Sequence, residues 1–266
     1  MEVVADQQDQ AVEAKQGQIK ITVCLSLSGI AEGGEEVYAE FQKQIAEMEA
    51  NATLGERKCE MGQVGCRGYC SRDVLVDVYI PGEERVTYEK VKPAMVKNIL
   101  NDHIIGGKPF KKAASKPDYY ETLGKQTLVA LAHGGAIDPE NIDEYIQVGG
   151  YESLKKVLSN MKPEEVIEEV KKSGLRGKGG GGFVTANKWE KARNAPTDEK
   201  GTRYIMVNGD EGNPASYMDR SVMEGASHQV LEGLLIGAYA IGATEGIIYT
   251  RSDYGIAVKR LNLAID

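Results

Sequence analysis

No stretch of the 266-residue sequence comes near the roughly 20 consecutive apolar residues that crossing a bilayer requires. The amino terminus has neither a basic start nor an apolar segment, so nothing marks the chain for secretion, and a cytoplasmic setting is expected. Basic residues are in deficit: 32 Lys and Arg against 40 Asp and Glu leave a net charge of −8, which argues against a nucleic-acid surface. Cysteine is scarce as well. Four in a chain this long do not make a disulfide scaffold, and three of them fall within twelve residues, which favours metal over bridges. His133 has no second His or Cys near it in sequence and reads as a packing or surface residue.

What the chain does have is length enough for two domains. Met1 to Gly17 is polar and without an apolar face, and predicts a disordered tail. Ile19, Ile21 and Val23 alternate along a strand that delivers Cys24 into a loop. Val37, Phe41, Ile45 and Met48 recur at helical spacing and form one buried stripe. Cys59 lies on a predicted strand and reads as a small buried hydrophobe. Cys66 and Cys70 sit in a glycine-containing loop leading to a strand over Val74 to Ile80, and a helix over Lys92 to Ile104 closes this first unit, 18–107. The Lys-rich stretch 108–127, broken at Pro117, predicts a linker, and a second domain fills 128–266.

That second domain opens with a predicted strand, turn and short helix. A helix begun by Pro163, Glu164 and Glu165 then leads into a loop holding Gly174, Gly177, Gly179, Gly180, Gly181 and Gly182. So many glycines cost more folding entropy than a plain turn needs. Converging backbone N–H groups, with Arg176, Lys178 and Lys188 around them, suit a phosphate-bearing cofactor. Gly177-x-Gly179-x-x-Gly182 formally satisfies a dinucleotide fingerprint, but a helix precedes it where a strand should. A P-loop fails too, because Trp189 stands where Ser or Thr is required. Arg203 to Val207 predicts a buried strand ending at Asn208, Gly209, Asp210 and Glu211. An apolar helix through Val230, Leu231, Leu234, Leu235, Ala238 and Ile241 reads as core, and the strand Gly246 to Thr250 completes a βαβ unit with a parallel, sandwiched sheet.

The segments GLRGKGGGGFVTANKW, VNGDEGNPASYMDRSVMEG and HQVLEGLLIGAYAIGATEGIIYTR resemble, in order, the flavin- and NADH-binding subunits of respiratory complex I, a family that also occurs in NAD-linked hydrogenases and formate dehydrogenases. The first domain, with strand, helix, strand, strand and helix in turn, resembles the thioredoxin-like [2Fe–2S] ferredoxin domain that accompanies this family. The fold class expected is therefore α/β: a thioredoxin-like ferredoxin domain followed by part of an FMN/NAD-binding domain with a mostly parallel sheet.

The resemblance implies FMN, NAD(H) with NADP(H) possible, and a [2Fe–2S] cluster. It implies flavin contacts at Gly177, Lys178, Gly179, Lys188, Asn208, Asp210, Glu211 and Gly212, with Glu211 as catalytic residue. Phe183 would stack on the dinucleotide and Gly180 to Gly182 would leave room for it. Lys178 replaces the family's usual arginine, keeping charge and losing the planar fork. Asn213 replaces its usual acid, which is expected to weaken discrimination against NADPH. For the cluster, Cys66 and Cys70 supply one cysteine pair intact, whereas Cys24 meets Gly29 where its partner should be. Three thiolates leave open an occupied site with an unusual fourth ligand or an empty scaffold. The family's further flavin-contacting and cysteine-rich segments are absent after Asp266. The chain is thus expected to act within a multi-subunit redox complex, another subunit supplying the rest of the flavin domain. The alternative is a non-catalytic assembly subunit.

Overall fold

The computed structural model describes residues 17–197, 201–213 and 215–266, so the expected tail lies outside the described residues apart from Gly17. The chain divides into two compact units, one running to Glu144 and taking in Glu224–Ala226, the other comprising Tyr145–Met223 and Ser227–Asp266. No helix among the described residues is long and apolar enough to cross a membrane.

The first unit is built on a four-stranded sheet in the order β2-β1-β3-β4, with β1 Gln18–Cys24, β2 Lys58–Val64, β3 Val76–Tyr79 and β4 Val86–Tyr88. β1 runs parallel to β2, the crossover being made by α1 (Leu27–Ala31) and α2 (Gly34–Ala50), while β1–β3 and β3–β4 are antiparallel. A parallel neighbour needs such a crossover, which is why the helix intervenes. Ile19, Ile21 and Val23 are buried, and so are Lys20 and Thr22 on the opposite face of this inner strand, Lys20 being paired with Glu144 at 2.6 Å. The stripe of α2 enters the same core with Val37, Phe41 and Ile45 buried and Met48 packed at its margin. Cys59, on β2 opposite Ile19, also lies at that margin. α3 (Pro93–Ile99) continues as a π-helical turn to Ile105, burying Val96, Ile99, Leu100 and Ile104.

Three expectations are corrected here. The loop after Cys24 is the short helix α1. Residues 108–127 are packed rather than extended: Ala114 bridges to Tyr88, and α4 (Pro117–Gly124) buries Tyr119 completely, its ring edge-on to Tyr69 at 5.0 Å. A proline and an acid in the first turn suit a helix start, and the tyrosine's apolar area outweighs the solvation of the flanking lysines. The strand expected after Lys125 does not form, and Val129 there is 78% exposed. Gly134 and Gly135 instead press against the cysteine loop, where a Cβ at Gly134 would lie 2.6 Å from the Cys66 carbonyl oxygen.

The second unit contains α5 (Ile142–Gln147) from Tyr145 on, α6 (Glu152–Asn160), α7 (Pro163–Ser173), α8 (Thr185–Asn194), β5 (Tyr204–Gly209), most of α9 (Met218–Gly225), α10 (Ser227–Ile241), β6 (Glu245–Thr250) and α11 (Gly255–Ile265). β5 and β6 are parallel, from Tyr204 opposite Glu245 to Gly209 opposite Thr250, as a βαβ unit requires. The sheet is not sandwiched, however. α10 covers one face, closely enough that a Cβ on Gly237 would lie 2.6 Å from Ile205. On the other face Tyr204, Met206, Ile247 and Tyr249 are all exposed, so β5 alternates where a buried strand was expected.

Candidate functional site

The glycine loop belongs to the second unit. α7 is opened at Pro163, with the Lys162 N–H donating to Glu165 at 2.7 Å, and ends at Gly174 in the left-handed conformation. The chain then doubles back. Arg176 bridges to Val184, the Gly177 N–H donates to the Phe183 carbonyl at 2.9 Å, and the Thr185 N–H donates to Leu175 O at 3.0 Å as α8 begins. Gly180 and Gly182 take φ of +98° and +58° at the tip, a region that admits glycine without strain. A Cβ at any of Gly179 to Gly182 would meet nothing within 4 Å. Their lack of side chains is thus not demanded by the chain's own packing.

Around this tip Lys178 and Lys188 are exposed, and Phe183 is 49% exposed with the Lys191 ammonium 5.5 Å from its ring centre. Arg176 is differently engaged from what was expected. Its guanidinium donates to Gly182 O at 2.9 Å, so it shapes the loop.

β5 ends at the second group of expected residues. Asn208 accepts from the Asp210 N–H at 3.0 Å, and Asn213 accepts from the Ala215 N–H at 3.1 Å. Gly209 is buried where a Cβ would meet Met223 at 2.7 Å, and Gly212 passes close to Asp210. Glu211 adopts φ of +46°, unusual for a residue with a side chain. Its carboxylate accepts from the N–H groups of Asp219 and Arg220 at 2.9 and 3.1 Å, capping α9, and from the Tyr254 hydroxyl at 3.2 Å. No hydrogen bond or ion pair joins this strand end to the glycine tip among the described residues. They remain two separate parts of one unit.

The cysteines lie in the first unit. Cys66 and Cys70 flank a tight loop, their sulfurs 3.3 Å apart, and the Gly68 N–H donates to the Cys66 sulfur at 3.2 Å. The hydrogen bond between the two sulfurs holds the Cys70 pKa down to about 6 and raises that of Cys66. Cys24, at the end of β1, is buried with its sulfur 3.2 Å from the Ser26 hydroxyl. Burial, and then the Asp73 carboxylate, push its thiol up to about 12. Cys24 and Cys66 act on each other electrostatically, so three thiols from two loops gather at one end of the sheet. Cys59 is away on β2 and its thiol is pushed up to about 11, chiefly by burial. Thiolates are donors that iron–sulfur clusters take, but the three thiols do not by themselves form a group that would hold a single metal ion, and the fourth expected position, Gly29, carries no donor.

Sequence reading missed the groups that steady these sites. Arg67, next to Cys66, is buried and pairs with buried Asp77; it also donates to the Tyr119 hydroxyl at 3.1 Å and to Gly135 O at 2.9 Å. Asp77 in turn accepts from the Thr87 hydroxyl at 2.6 Å. In the second unit Glu232 accepts from the Tyr145 hydroxyl and from the N–H groups of Tyr151 and Leu154, at 2.6, 2.9 and 3.0 Å, while Tyr151 bonds His228 at 2.8 Å. Leu231, Leu234 and Leu235 were expected in the core; they line a cavity of about 550 Å³ with β6 and α11. No local pattern signals these partners, which lie 10 to 87 residues apart.

Residues 170–266 match the Nuo51 FMN-binding domain family, and residues 8–103 match the thioredoxin-like [2Fe-2S] ferredoxin family. The NADP-reducing hydrogenase subunit HndC of Solidesulfovibrio fructosivorans is 52% identical over 145 residues, 54% of this chain and 29% of that one. An NADH-quinone oxidoreductase subunit of Aquifex aeolicus is 46% identical over 126 residues, 47% of this chain and 28% of that one. A crystal structure of the thioredoxin-like [2Fe-2S] ferredoxin of Aquifex aeolicus aligns at 25% identity and a TM-score of 0.32, covering 37% of this chain and 98% of that one. The chain thus spans less than a third of the length of either curated relative. In the order expected, the chain thus carries a segment that matches the thioredoxin-like [2Fe-2S] ferredoxin family, followed by one that matches the Nuo51 FMN-binding domain family.

Proposed function

We propose that this chain is the NAD(P)H-oxidising entry module of a larger cytoplasmic redox complex, with a ferredoxin domain in its first compact unit and a flavin domain that begins at Tyr145, not at the expected residue 128. The observation that carries the reading is the open space over Gly179 to Gly182, which no atom of the chain fills. Lys178 and Gly179, with Lys188, would hold the phosphate by main-chain N–H groups and charge, beside Gly177, whose own N–H is engaged by the Phe183 carbonyl. Gly180 to Gly182 would let a nicotinamide coenzyme lie against bare backbone beneath Phe183. Asn208, Asp210, Glu211, Gly212 and Asn213 would orient the rings from the end of β5, the usual side for ligands in α/β folds. Bound FMN supplies the capacity to accept a hydride and release electrons singly.

Glu211 is the residue we assign to the chemistry, because two N–H groups and a tyrosine hydroxyl hold its carboxylate in one orientation. Asn213 puts no negative charge near a 2′-phosphate, and the relative HndC is named for NADP reduction, so NADPH is accepted alongside NADH. Iron–sulfur centres of partner subunits would take the electrons.

Gly179→Ala tests this in the native assembly. Its φ is not in the left-handed region and its Cβ meets nothing, so stability should be unchanged while bound flavin, read by visible absorption, falls at least tenfold. An alanine variant with undiminished flavin would refute the assignment.

A further inference from the structure

Gly29 stands where a fourth thiolate would complete the cysteine set, and the backbone leaves no room for one. A Cβ there would lie 2.0 Å from the carbonyl oxygen of Cys24 and 2.9 Å from its carbonyl carbon. The obstacle is main chain, which cannot swing aside as a flexible side chain would. A fourth ligand must therefore come from another element.

The turn after Cys70 supplies one. Asp73 is 5% exposed, and neither of its carboxylate oxygens accepts a well-formed hydrogen bond, although the Ser28 hydroxyl, the Cys24 thiol and the Leu75 N–H act on it weakly. Burying a carboxylate without a partner is costly, and such groups are ordinarily paired or bound to metal. The Asp73 N–H donates to Cys70 O at 3.2 Å, which ties the residue to the cysteine loop, and its carboxylate acts electrostatically on the thiols of both Cys24 and Cys70. Arg67, a cation that acts on Asp73, is bonded to Asp77, Tyr119 and Gly135 instead.

Among the described residues no three His, Cys, Asp or Glu side chains form a group suited to a metal ion. A two-iron cluster asks for something different, four ligands divided two and two. Cys66 and Cys70, 3.3 Å apart, are close to one such pair, since two thiolates on a tetrahedral metal with bonds of about 2.3 Å lie roughly 3.8 Å apart. Cys24 and Asp73, which act on each other electrostatically, would make the second pair. A carboxylate carries the same single charge as the thiolate it replaces, so the net charge of the ligand set is kept.

We propose that Cys24, Cys66, Cys70 and Asp73 bind a [2Fe–2S] cluster, the Asp73 carboxylate being its fourth ligand. This rests on the ferredoxin-domain part of the reading above and not on the flavin part. The test is anaerobic incubation of the full chain with ferrous iron and sulfide, followed by desalting, iron and sulfide assay, visible absorption and electron paramagnetic resonance after reduction. The wild-type chain should retain about two iron and two sulfide ions. Asp73→Ala should retain at least tenfold less, and Asp73→Cys should retain as much as wild type with a shifted absorption and resonance spectrum, as an added sulfur ligand requires. If the alanine variant does not fold by circular dichroism, the isosteric Asp73→Asn takes its place. The proposal is overturned by an alanine or asparagine variant that folds and holds the same iron with the same spectra, or by a wild-type chain that takes up no iron. Flavin is scored separately by its own bands, so its absence beside an intact cluster counts against the flavin reading alone.

Discussion

Arg67→Met should unfold the first unit more readily than any single change on its surface. The Arg67 and Asp77 side chains are 7% and 1% exposed, so water screens their attraction very little. Removing the guanidinium leaves a buried carboxylate with Thr87, Tyr79 at 3.4 Å and the charge of Arg85, and strips one hydrogen bond each from Tyr119 and Gly135. Breaking a buried pair from one side costs about 3–5 kcal/mol, a large part of the roughly 5–15 kcal/mol that holds a domain together. At a urea slope near 2 kcal/mol per molar the midpoint should fall by about 2 M. Far-UV circular dichroism follows the loss, and fluorescence of Trp189, the single tryptophan, reports the second unit separately. Arg67→Met with Asp77→Leu should recover part of the stability, because the buried pair is replaced by two apolar side chains and only Arg85 loses a counter-charge. A cost below about 1 kcal/mol for Arg67→Met, or a double variant no better than the single, would refute the argument.

Three further outcomes are expected. Burial holds the His228 pKa below its usual value, so the folded state favours the neutral ring; the stability this gives is complete above the unfolded pKa of about 6.5 and is lost as pH falls from there through the folded value. Melts followed at Trp189 should therefore shift downward on acidification through pH 6, and His228→Gln should flatten that slope; an equal slope in the variant would count against it. Glu211→Ala removes the cap of α9 and should cost about 1–2 kcal/mol, with Glu211→Gln recovering part of it in the same melts. Asn213→Asp in the native assembly should raise the ratio of kcat/KM for NADH over NADPH about tenfold or more, and an unchanged ratio would show that this position does not read the 2′-phosphate.

How legible each part was depended on the distance over which its cause acts. The stripe of α2, the proline and acid that start α7, the Gly174 stop and the glycine tip with its outward Lys178, Lys188 and Phe183 are set by neighbours a few residues away. The three thiols were legible as a group because two share one loop and the third ends the adjoining strand. By contrast, the stretch 108–127 looked like a solvated connector because its lysines are visible in sequence, while the pocket that takes Tyr119 comes from Tyr69 and Arg67. Asp73 was not singled out in sequence at all, since its burial without a well-formed hydrogen bond is a property of the fold around it.

By itself, the sequence determined two α/β units in order, the helices with one apolar face, the exposed glycine tip and the three thiols, all consequences of periodicity and of backbone freedom at named residues. Only the tertiary structure decided that Arg67 locks the cysteine loop through Asp77, that main chain closes the position of Gly29, and that β5 and β6 keep one face uncovered. Burial and charge pairing are settled by atoms far apart along the chain, and no local pattern records which of them will meet.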